Sequence, residues 1–77
     1  MADNLSDVVQ AALTGAPFTT RELAEESGLS YDVLKSWRSG RRRATVMSAR
    51  RLAEGLEARG RRLLALAREI QKQTGRV

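Results

Sequence analysis

The chain has 77 residues, a formal net charge of +5 and a pI near 11.1, so it forms one domain at most and buries only about 60% of its unfolded surface. It contains no cysteine and no histidine. The first absence excludes disulfides and thiolate metal sites, and the second removes the commonest general base and every Ser-His-Asp or Cys-His arrangement.

The acids are scattered singly or in pairs, without metal-ligand spacing. An enzyme is therefore not expected, and neither is a metal or other cofactor. No run approaches the roughly 18 apolar residues of a membrane span. The start, MADNLSDVV, is acidic and lacks the basic opening of a signal peptide. These features predict a soluble, cytoplasmic, all-α protein without a membrane partner.

Leu5, Val8, Val9, Ala12 and Leu13 follow the spacing of an amphipathic helix, which Gly15-Ala16-Pro17 ends. The second helix has a strongly marked start. Thr19 and Glu22 form a capping box, and Phe18 with Leu23 fit the hydrophobic staple around it. Gly28 stops this helix in the left-handed conformation that glycine tolerates. Ser30 caps the third helix, Leu29 and Leu34 are placed for a second staple, and Gly40 ends it. Leu34 and Trp37 point one way from that helix, which makes Trp37 a core residue.

Thr45 can cap a fourth helix. Ala49, Leu52, Leu56, Leu63, Ala67 and Ile70 then lie on one stripe. Two readings remain at Gly60. One helix runs from about Val46 to Lys72, with Gly60 costing roughly 1 kcal/mol relative to alanine, or Gly60 ends one helix and a fifth begins at Arg61. Retained phase and the absence of a cap after Gly60 favour the long helix. The prediction is a single domain over 1–77, a bundle of four to five helices with a long C-terminal one. The segment after Gln73 is expected to fray.

Charge is unevenly placed. Between Val33 and Ala53 stand Lys35, Arg38, Arg41, Arg42, Arg43, Arg50 and Arg51, with no acid among them. Before that interval Arg21 alone faces Asp3, Asp7, Glu22, Glu25, Glu26 and Asp32. The positive field is therefore focused on one part of the fold.

The stretch TTRELAEESGLSYDVLKSWRSGRRR, with its motif over 19–40, resembles the helix-turn-helix of phage-repressor-like regulators, the Cro/C1 or XRE class. Small Ala24 sits where the two helices cross, and Gly28 makes the turn. Leu23, Leu29, Leu34 and Trp37 hold the pair together, and SG followed by arginines closes the last helix. The likeness covers about Phe18 to Leu56. Members often carry proline where this chain has Ala44, and the C-terminal segment departs from their compact five-helix domain.

The resemblance implies a dimeric repressor of transcription, associated with the nucleoid, that binds double-stranded DNA. The helix at 30–39 would lie in the major groove while the second helix crosses the backbone. By matched position Tyr31, Asp32 and Ser36 would face bases, with Lys35 beside them. Thr20, Ser30 and Ser39 would hold phosphates. Arg38, Arg41, Arg42 and Arg43 would follow the backbone or reach towards a groove. Glu22, Glu25 and Glu26 would cap or face solvent.

Plainer readings stand beside these. Tyr31 also fits a partly packed surface aromatic. Asp32 near a helix start is favoured by the helix dipole whatever the function. Seven uncompensated cations fit less well as an ordinary solvated face. Arg59, Arg61, Arg62 and Arg68 read as the solvated side of the last helix. Its apolar residues Leu56, Leu63, Leu66 and Ile70, in a segment of about 56–73, either fold back on the chain's own core or pair with a second copy; a homodimer is expected. A protein-interaction module such as an antitoxin, binding a different partner through that helix, is the alternative. So is a phage architectural or recombination-directing factor.

Overall fold

A computed structural model describes residues 4–74 and shows four helices in chain order. These are α1 (Asn4–Gly15), α2 (Thr20–Ser27), α3 (Tyr31–Arg38) and α4 (Val46–Thr74). No strand occurs among the described residues. The fold is a small all-α bundle with a long last helix. Helix α4 runs without a break through Gly60, so the single-helix reading holds. Thr74 is still helical, its hydroxyl donating to the Ile70 carbonyl at 3.0 Å. The rest of the segment expected to fray lies outside the described residues.

The helix boundaries follow from local chemistry. The Glu22 N–H donates to Thr19 Oγ1 at 3.0 Å, and the Thr19 N–H donates to Glu22 Oε1 at 2.9 Å, which closes the capping box. Gly28 has φ +72° and donates its N–H to the Ala24 carbonyl at 3.0 Å. Ser30 Oγ accepts from the Val33 N–H at 3.1 Å, and Thr45 Oγ1 accepts from the Ser48 N–H at 3.2 Å. Helix α3 closes with a paired reverse bond: Gly40 N–H donates to the Trp37 carbonyl and Arg41 N–H to the Ser36 carbonyl. This arrangement needs a left-handed residue after the helix end, supplied by Gly40 at φ +79°.

The core consists of Val9, Leu13, Leu23, Ala24, Leu34, Trp37, Ala44 and Leu52. Leu34 is wholly buried and Trp37 nearly so, as their shared phase predicts. Val8 departs from its predicted stripe: it is 64% exposed, at the edge of α1. Helix α2 packs chiefly against α4, and α1 against α3. The α2–α4 crossing is close. A Cβ placed on Gly55 would stand 2.9 Å from Ser27 Cα.

Helix α4 joins this body through its first half and, by its side chain, Arg62. A 29-residue helix is about 43 Å long, and the molecule measures 53 × 25 × 19 Å. From Gly60 to Thr74 every residue is exposed. Leu63, Leu64, Leu66 and Ile70 are 47–65% exposed, so the fold-back reading of the apolar stripe does not hold. No helix is long and apolar enough to cross a membrane, among the described residues.

Candidate nucleic-acid interface

Helix α3 buries one side and offers the other. Leu34 and Trp37 turn inward, and Val33 packs half-buried against the core. Asp32, Lys35, Ser36 and Ser39 recur at three- and four-residue steps, so they share the outward face. Asp32, Lys35 and Ser39 are exposed, and Ser36 is half-exposed. With Arg41 these four line a shallow cleft of about 280 Å³. The reverse turn at Gly40 brings Arg41 back beside α3, since the Arg41 and Arg42 N–H groups both donate to the Ser36 carbonyl, at 2.9 and 3.2 Å. Arg42 and Arg43 are exposed on the same loop.

A second, more open cleft of about 610 Å³ lies where α2 begins, between Phe18, Thr20, Arg21, Glu22, Tyr31 and Arg38. The Arg21 guanidinium stands 4.4 Å above the Tyr31 ring. Tyr31 is half-buried here, so it combines the packed-aromatic reading with access from outside. Arg38 Nη1 donates to Thr20 Oγ1 at 3.3 Å. Thr20 itself is buried at 8% exposure, and its hydroxyl is engaged by that arginine. Thr20 therefore positions Arg38 in this structure and offers no open hydroxyl. Thr20, Leu23, Ala24 and Ser27 share one helical face, a spacing that predicts this burial.

Helix α1 anchors the arginine loop at both ends. Gln10 Nε2 donates to the Arg38 carbonyl at 3.0 Å, and the same side chain lies against Gly40. Ser6 Oγ accepts from the Ala44 N–H at 3.0 Å. A proline at position 44 would have no N–H to give this bond.

Of the acids of α2, Glu22 caps and Glu25 is exposed, as expected, and Glu26 departs. Glu22 caps its helix and also meets Arg59, 3.3 Å from Oε2 to Nη2. Glu26 neither caps nor faces solvent. Its side chain is 14% exposed and is held by two nitrogens of Arg62, one at 2.7 Å, with Arg59 at 3.8 Å. Arg59 also stacks 4.2 Å over the Phe18 ring, with its Nε buried and unpaired. So Arg59 and Arg62 are structural, not a purely solvated face; only Arg61, exposed and paired with Glu57 at 3.4 Å, fits that description among these three. The Thr19 N–H, then its hydroxyl and Arg59, hold the Glu22 carboxyl below its ordinary range. Arg62 does the same for Glu26, and Glu26 in turn raises Arg62.

The consequence is a sorted surface. Glu22 and Glu26 are neutralised by α4. Among the described residues no carboxylate pairs with Lys35, Arg38, Arg41 or Arg42. The roles of Gln10, Ser6, Gly55 and Arg59 leave no signal in the sequence, because each acts across helices that only the fold brings together. No cluster of acids capable of holding a metal occurs among the described residues. Comparison with protein-family models, with curated proteins and with solved structures gave no match.

Proposed function

We propose that this chain is a sequence-specific regulator of transcription that binds double-stranded DNA as a homodimer, with α3 in the major groove. One observation carries the reading. The exposed face of α3 ends at Arg41 and Arg42, which pair with no carboxylate among the described residues, while α2's Glu22 and Glu26 are tied to arginines of α4. Asp32, Lys35 and Ser36 supply an acceptor, a donor and a hydroxyl suited to base edges. Ser30, Ser39, Arg38 and Arg41–Arg43 supply the phosphate contacts that fix register. The activity is binding, without catalysis or cofactor, and the place of action is the nucleoid. Association through α4 would supply the second recognition helix, since such proteins read two half-sites about 34 Å apart.

The test is a gel shift with duplex selected from random sequences, at two or more salt concentrations. Affinity should fall steeply with salt, about 0.9 log units per log unit of salt for each phosphate neutralised. Binding that ignores salt, or the absence of any selected sequence, removes the proposal.

A second reading is favoured by the bare end of α4. Leu63, Leu64, Leu66 and Ile70 would also suit a different protein, as in an antitoxin or a phage architectural factor. The mass of the purified chain in solution separates the two: a lone monomer points to a missing partner.

A further inference from the structure

We propose that the groove between α1 and α4 receives the C-terminal end of α4 from a second copy of the chain. Two copies would then exchange helix ends in an antiparallel pair whose two-fold axis passes beside Gly60. This deepens the dimer reading above and rests on it.

The groove is a cleft of about 240 Å³ with an apolar lining that includes Leu5, Val8, Val9, Ala49, Leu52 and Leu56. Val8 forms its rim at 64% exposure, although its neighbour Val9 is in the core. The second half of α4 offers what the groove lacks. Leu63, Leu64, Leu66 and Ile70 are 47–65% exposed among the described residues.

Groove and stripe are successive parts of one helix face. Ala49, Leu56, Leu63 and Ile70 stand at seven-residue steps, which keeps them in line along a helix. The α4 wall of the groove runs from Ala49 to Leu56, and the bare stripe from Leu63 to Ile70. Each spans the same two turns. A patch made of a socket and an equal-length plug is self-complementary only when a two-fold axis lies between them and the helices run in opposite directions. A parallel pair would set stripe on stripe and leave both grooves without an occupant. A helix from a different protein has no reason to match that span.

Gly60 marks the midpoint. Ala53 and Ala67 each lie seven residues from it, so the antiparallel pair sets Ala53 of one copy opposite Ala67 of the other. Leu56 then meets Leu64, and Ile70 arrives at the level of Ala49 beside Val8. Among the described residues, nothing beyond Gly60's own helix backbone and chain neighbours lies within 4 Å of a Cβ built on it. With small residues at 53, 60 and 67, the helix axes can approach to the low end of the usual 8–10 Å. Glu57 of each copy falls within a turn of Arg61 of the second copy, an opposite charge.

The absence of cysteine makes the test direct. Ala53→Cys and Ala67→Cys, both at exposed positions, are made as separate full chains, one tagged, then mixed and oxidised. Solution mass of the parent is measured alongside. A dimer by mass, with the mixed 53–67 disulfide well in excess of either self-disulfide, is the expected result. Val8→Glu, at a position exposed in the isolated chain, should weaken self-association roughly tenfold while helicity is kept. A parent that is monomeric at high micromolar concentration overturns the dimer and the exchange together. A dimer that forms self-disulfides instead, or that ignores Val8→Glu, overturns the exchange and leaves the dimer standing.

Discussion

Two glycines in α4 look alike in the sequence and differ in the structure. Gly60 interrupts an apolar stripe and draws attention, yet its neighbourhood is open. Gly55 is buried, and any Cβ there meets the backbone of Ser27 at 2.9–3.0 Å. Backbone cannot swing aside as a side-chain tip can. Gly55→Ala should therefore destabilise the fold by about 1–3 kcal/mol through overpacking, read from urea unfolding. Gly60→Ala, made in a monomeric Leu63→Glu, Ile70→Glu background, should instead add up to about 1 kcal/mol. Equal effects at the two sites would remove the close α2–α4 crossing. Periodicity ranks glycines by where they fall in a pattern, whereas a close approach depends on what lies across from them. Ser36 presents the corresponding question for binding. It is the half-exposed hydroxyl at the centre of the α3 face, so Ser36→Ala should relax preference at one base pair by about 1–3 kcal/mol with non-specific affinity kept. An unchanged selected site would show that α3 is not the reading helix.

At the level of elements, caps were legible and crossings were not. Thr19, Ser30 and Thr45 are recognised by residues within three positions, so their bonds could be read directly from the chain. The pairing of Glu22 and Glu26 with Arg59 and Arg62 spans 36–37 positions and depends on α4 lying along α2. This clamp has a pH signature. The carboxyls of Glu22 and Glu26 are both held below the ordinary carboxylate range, Glu22 by the Thr19 N–H and Glu26 by Arg62. Lowered carboxyl pKa values stabilise the folded state above the unfolded value, and that contribution disappears as pH falls through the folded one. Thermal midpoints should accordingly be level from neutral pH down to about 5 and then decline below the ordinary carboxylate range. Glu26→Gln should lower the midpoint at pH 7 and make the acid decline shallower. A variant whose acid profile matches the parent would mean that the Arg62 contact adds nothing.

Taken whole, the molecule sorts its charge by side. The acid-rich first half and arginine-rich middle suggested focused charge, and the fold sharpens it by tying Glu22 and Glu26 to α4. Of the residues assigned from the sequence, Asp32, Lys35, Ser36, Ser39 and Arg41 line one cleft, while Tyr31 and Arg38 line another with Thr20, whose hydroxyl is engaged by Arg38. The long helix was legible because its phase survives Gly60. Its projection beyond the body was not, since a stripe has the same pattern whether it packs within the chain or stands clear of it. Replacing Arg41, Arg42 and Arg43 together by alanine should weaken binding to all sequences alike and reduce the salt slope by up to about 3. An unaltered slope would place the anion-binding surface elsewhere.

The two hydrogen bonds from α1, Gln10 to the Arg38 carbonyl and Ala44 to Ser6, have a consequence for motion. They make the arginine segment a bridge fixed at both abutments rather than a free tether. A tether must surrender its wandering on each encounter, at about 0.5–1.5 kcal/mol per side chain immobilised, whereas a fixed span has surrendered most of it during folding. Ser6→Ala removes no charge. It should nonetheless raise nanosecond backbone mobility at Arg41–Arg43, visible as lower amide order parameters, and shorten the lifetime of any complex this segment grips. The helix farthest from the arginines in sequence would thereby set how long they hold on.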